Sequence, residues 1–107
     1  MAALIFAKND RDIVTFRKAI FRMILSRAKA RLTNPIDIEQ LELSEVMEAI
    51  SFQRIPEDQR ARLVEAVFEA TKSLKDDIAA GKPIEEPVRA GIDEKLDEIL
   101  ALLGRFR

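Results

Sequence analysis

Carboxylates are the first residues in this sequence with the spacing to do chemistry. Glu45 with Glu48, Glu65 with Glu69, and Asp93, Glu94, Asp97 and Glu98 can each place acids on a shared helix face, as a carboxylate-bridged metal site requires. The constellation that helical bundles use for paired metals also draws a Glu-x-x-His from two helices, and this chain has no histidine. No calcium-loop pattern occurs either. Solvated helix faces are therefore the expectation for these acids, with no metal and no cofactor.

Nucleophiles are equally scarce. The chain holds no Cys, His or Tyr, which removes the usual general bases and activated side chains and leaves carboxylates, lysines and hydroxyls. Ser26, Ser44, Ser51 and Ser73 have no triad context. The "GKP" at residues 81–83 lacks both the upstream glycine and the following Ser or Thr of a phosphate loop. The sequence is thus read as non-enzymatic, and binding becomes the class of function to look for.

Charge gives the binding candidates. Residues 16–32, "FRKAIFRMILSRAKARL", carry six basic residues and no acid, although the whole chain has a net charge of only -1. Residues 1–31 sum to +6 and the remainder to -7. On a helical wheel Arg11, Lys18, Arg22 and Lys29 fall within about 40° of one another, forming one basic stripe. Such a stripe can be neutralised by acids of its own fold, can speed association with an acidic protein, or can track the phosphates of a nucleic acid. Against the last use stand the acidic remainder, the lack of Tyr and Trp, and phenylalanines set in apolar patterns. The segment from Ile38 to Ile50 would turn Glu45 and Glu48 towards phosphates if used as a DNA-reading helix, which argues against that role too.

The same helix carries an apolar arc of about 200°, from Ile13 through Phe16, Ile20, Phe21, Ile24 and Leu25 to Leu32, wider than one neighbour can cover. Either several helices of the same chain surround it, or part of it joins two chains. Phe6, Phe16, Ile20, Phe21, Ile24 and Leu25 are the candidate residues of a homodimer interface. Arg17 and Arg27 project into the arc and are expected at its edges, their stems against apolar surface and their heads in water or paired with Glu45, Glu48 or another acid.

The elements that must position these residues follow from the punctuation. Three glycines and four prolines fall mostly where helices begin or end. A first helix is expected from Asn9 or Asp10 to about Leu32. A second, weaker element spans residues 35–52, with Leu43, Val46, Met47 and Ile50 on one face and Ser44 as an N-cap, although residues 36–43 are also readable as partly extended or as a separate short turn. The third starts at Pro56, repeats Val64, Val67, Phe68, Thr71, Leu74 and Ile78 at helical spacing, and stops at Gly81. A fourth opens at Pro87 and carries the seam Ile92, Leu96, Ile99, Leu103 and Phe106. Between the second and third, Phe52 and Ile55 of "SFQRIP" form either a staple onto the third helix or an exposed recognition edge.

The fold class expected is all-α, a compact bundle of about four mostly antiparallel helices in a single domain over residues 1–107. Residues 1–8 are expected to be a flexible or interface-forming segment. At 48 % hydrophobic and 35 % charged residues the chain has apolar surface enough to offset chain entropy. Without a signal-like N-terminus or a long apolar run, the expected location is cytoplasmic, with no integral membrane association. The function expected is self-association and binding of a protein partner, an acidic one being suited to the basic stripe. The alternative is a nucleic-acid-associated regulator that uses that stripe on phosphates.

Overall fold

Two apolar runs at the start of the chain, "AALIF" and "IVTFR", form strands rather than extending a helix. The computed structural model describes residues 2–6, 13–83 and 92–105. In it β1 (Ala2–Phe6) pairs antiparallel with β2 (Ile13–Arg17), Ala2 opposite Arg17 and Phe6 opposite Ile13. The first helix, α1 (Lys18–Ala30), therefore begins well after the expected Asn9 or Asp10. Ile13, Val14, Thr15 and Phe16 are β-branched or aromatic, types that lose rotamer freedom in a helix and pack well on a pleated surface. A second apolar run a hairpin's length upstream gives them a partner strand.

Among the described residues four α-helices dominate, as the sequence indicates, and the small sheet is an addition to them. α2 (Pro35–Met47) starts at Asn34, whose side chain accepts a hydrogen bond from the Ile36 N–H at 2.9 Å, with Pro35 in the first turn. Ser44 is not an N-cap. It lies inside α2, buried, and its hydroxyl donates to the Gln40 carbonyl at 2.9 Å. Glu48 ends α2 in the left-handed conformation, φ 59°. The chain then forms β3 (Ala49–Ser51), a 3-10 turn (Phe52–Arg54) and α3 (Glu57–Ala79). β3 pairs parallel with β1, giving the sheet order β2-β1-β3.

α3 is the backbone of the bundle, 23 residues from Glu57, and Gly81 follows it at φ 70°, a left-handed position that suits glycine as the expected stop. α4 (Ile92–Gly104) packs on α3 and on β2. Its expected opening at Pro87, and Phe106 at the end of its seam, lie outside the described residues. α1 packs against both α3 and α2. One apolar cluster joins β2, β3 and the four described helices, with Phe21, Ile24 and Leu25 of α1, Leu63, Val67 and Leu74 of α3, and Leu96, Ile99 and Leu103 of α4 fully enclosed. The Cα radius of gyration, 12.8 Å, is that of a close-packed chain of this length, for which about 13 Å is expected.

Candidate functional site

The basic stripe and the apolar arc of α1 have different fates. Lys18 meets Glu48 at 2.6 Å and Lys29 meets Glu45 at 3.3 Å, so α2 and the residue that caps it lie along the stripe and neutralise two of its cations. Arg22 stands exposed between them in sequence, and Arg11 lies outside the described residues. Arg27, which the sequence places in the apolar arc, turns to α3, where its guanidinium reaches Asp77 at 2.7 Å and the Ser73 hydroxyl at 3.0 Å. Its acid is therefore Asp77 of α3, another acid than Glu45 and Glu48. Arg17, at the end of β2, is exposed.

The arc itself is enclosed by the chain's own core. Ile20, Phe21, Ile24 and Leu25 are at most 6 % exposed, so these four candidates for a subunit interface present no surface to a second chain. Of Phe6 and Phe16 the structure describes the backbone alone, in β1 and β2. The fourth-helix seam is enclosed likewise: Ile92, Leu96, Ile99 and Leu103 are buried within the chain. The "SFQRIP" alternative resolves inward as well, with Phe52 and Ile55 both in the core.

The surface left with unspent apolar area is on α2. Ile36, Leu43, Val46 and Met47 are 66 %, 51 %, 81 % and 67 % exposed, whereas the buried residues of this helix are Asp37, Leu41 and Ser44. The helix is turned with two polar groups inward and four large apolar groups outward. Sequence reasoning puts Leu43, Val46, Met47 and Ile50 on one helical face. Instead Ile50 enters the core from β3, and the helix rotates to bury Leu41. Leu41 and Leu43 lie two apart, about 200° around a helix, so one of them must face away from any single neighbour. That spacing is the signal in the sequence for an outward apolar face.

A buried carboxylate fixes the rotation. Asp37 is enclosed, and Arg62 of α3 grips both its oxygens, Nε at 2.7 Å and Nη2 at 3.1 Å. These charge-assisted hydrogen bonds hold the Asp37 carboxyl below its ordinary value of 3.8, against burial, which acts to raise it. Stability from this group is therefore present above the ordinary carboxylate range and is lost as pH falls through the lowered value. Near neutral pH the anchor does not titrate. Gln59 adds a hydrogen bond to the Ile36 carbonyl at 3.4 Å.

Beside the exposed face runs an open groove of about 350 Å³, lined by Gln40, Leu43, Ser44 and Met47 of α2, by Ala49 and Ser51 of β3, and by Arg54, Ile55 and Pro56. Arg60 braces the far wall from behind. Its guanidinium donates to the carbonyls of Ile55, at 2.9 and 3.2 Å, and Gln53, at 3.3 Å, locking the bend between β3 and α3. Full burial of one Val, Leu, Ile or Met side chain is worth roughly 1.5–3 kcal/mol, so the four outward residues of α2 can supply several kcal/mol to an association. Chemically the surface offers apolar contact, not proton transfer. Among the described residues no group of three acids gathers as metal ligands, and no helix is long and apolar enough to cross a membrane.

Comparison with protein-family models, with curated proteins and with solved structures finds no match, so the functional reading rests on the chain's own geometry.

Proposed function

We propose that the protein is a non-enzymatic binding module that docks another protein on the outward face of α2 and the groove beside it. One observation carries this reading: α2 buries an aspartate and a serine while it exposes Ile36, Leu43, Val46 and Met47. A contiguous apolar patch rimmed by polar groups is the usual mark of an interaction surface. The fixed rotation of α2 supports it further, because the Asp37–Arg62 grip and the Arg60 clamp hold both walls of the groove in place before a partner arrives.

The nucleic-acid reading has weaker support. Of the stripe Arg11, Lys18, Arg22 and Lys29, two members are paired with Glu48 and Glu45, so phosphates would have to compete with carboxylates already in contact.

Photo-cross-linking from position 46, with exposed Lys72 on α3 as the control position, tests the docking reading. The expected result is a defined adduct from 46 and none from 72, with the identified partner binding the purified chain and losing that binding on Val46→Asp. Equal adducts from both positions, or a partner indifferent to Val46→Asp, would remove the basis for it.

A further inference from the structure

The outward face of α2 is acidic as well as apolar, and this narrows what fits it. The helix "PIDIEQLELSEVM" holds four acids and no base. Asp37 is spent on Arg62 and Glu45 on Lys29, whereas Glu39 and Glu42 are exposed and meet no cation among the described residues. At about 100° per residue Ile36, Leu43 and Met47 fall within about 40° of one another, Val46 and Glu39 lie next to them, and Glu42 borders Val46 on the side away from the groove. Arg54, at the groove's opposite rim, is the one cation lining it.

We infer that the occupant of this face is an amphipathic helix of a partner protein, with an apolar stripe and Lys or Arg along the flank that meets Glu39 and Glu42; the inference rests on the docking reading above. Three alternatives fit the face less well. A second copy related by a two-fold axis would set one acidic α2 face against another, and α2 carries no base to meet Glu39 and Glu42. An anionic membrane surface would be repelled by the same two acids. An extended strand would find at β3 an edge of only three residues to pair with. A helix needs no backbone partner, and its side chains at three and four spacing can interleave with Leu43, Val46 and Met47.

The test uses the full chain and three fluorescent helical peptides of equal length. One has a leucine stripe flanked by lysines, the second has the same stripe flanked by glutamates, and the third has the lysine composition with its leucines scrambled off the stripe. Anisotropy titrations at low salt are expected to show the lysine-flanked peptide binding at least tenfold more tightly than either of the others. That preference should weaken as salt is raised. Glu39→Lys with Glu42→Lys should reverse the order of the two striped peptides, while Val46→Ser should weaken both without changing the thermal unfolding of the chain.

Equal binding of the two striped peptides, both lost on Val46→Ser, would overturn the basic partner and leave the docking face standing. Equal binding of the striped and scrambled lysine peptides would reduce the effect to bulk charge and overturn the inference. So would a doubling of molecular mass in light scattering that Val46→Ser abolishes, because the occupant would then be a second copy. If no peptide binds and position 46 gives no adduct, both readings fall together.

Discussion

α1 and α2 have the same length, 13 residues, and opposite distributions of polarity. α1 buries Ile20, Phe21, Met23, Ile24, Leu25 and Ala28 and shows charge. α2 buries Asp37, Leu41 and Ser44 and shows hydrocarbon. The difference separates what holds the fold from what is free to bind. α1 is enclosed by α3, α2 and the strands, so its apolar residues serve stability. α2 is held at its margin by one leucine and a set of ion pairs, which leaves its apolar side unspent.

The largest expected effect breaks the comparison at its centre. Phe21→Ala or Leu25→Ala should cost about 3–5 kcal/mol in urea unfolding, because either empties a fully enclosed site that cannot collapse. Val46→Ser should stay within about 0.5 kcal/mol, as surface changes do. Comparable losses at the two places would mean that the outward side of α2 supports the core as much as the buried side of α1 does.

Next comes the polar anchor of α2. Arg62→Leu leaves the enclosed Asp37 carboxylate without its guanidinium, and the melting temperature at pH 7 should fall by several degrees. The sign of the pH dependence should also invert. In the native chain this group favours the fold above its lowered pKa, whereas in the variant only the weaker Gln59 hydrogen bond is left against burial, so the carboxyl pKa rises and the fold gains stability as pH drops from 7 towards 4. A variant with an unchanged pH profile would show that α2 does not depend on this grip.

Smaller effects sharpen the boundary between the two helices. Glu45→Ala, which removes the partner of Lys29, should cost at most about 1 kcal/mol, since both side chains keep contact with water. Glu48→Gly should change stability least. Glycine relieves the left-handed strain at φ 59°, and the loss of the Lys18 pair offsets that gain, leaving a net change within about 1 kcal/mol by chemical denaturation.

Much of the helical frame is legible in the sequence because its signals are local. Pro56, Gly81 and the Val64-to-Ile78 repeat place α3 closely, and the α4 seam turns inward as its spacing implies. The excess charge of the basic segment also finds an explanation in the next helix, since Lys18 and Lys29 lie against acids of α2 and its cap. The strands are harder to read. Ile13 to Phe16 continue the helical periodicity of α1, and only pairing with β1 decides for the extended form. The candidate site is the least legible part. Leu43, Val46 and Met47 read only as sharing one face, because apolar spacing carries no sign for inside or outside, and the rotation of α2 is set by Asp37 reaching a residue 25 positions away. The Leu41 and Leu43 conflict is visible in the sequence, but which of the two wins is a tertiary matter.

The central claim is that the molecule recognises its partner through α2 rather than through the basic side of α1. Chemical-shift mapping on the isotope-labelled full chain, titrated with the lysine-flanked helical peptide, tests it most directly. The account predicts perturbations concentrated on residues 36–47 of α2 and on 49–56 along the groove, with the exposed side of α1 around Arg22 unmoved. Perturbations centred on Arg22, or a uniform weak drift over the whole surface, would contradict it.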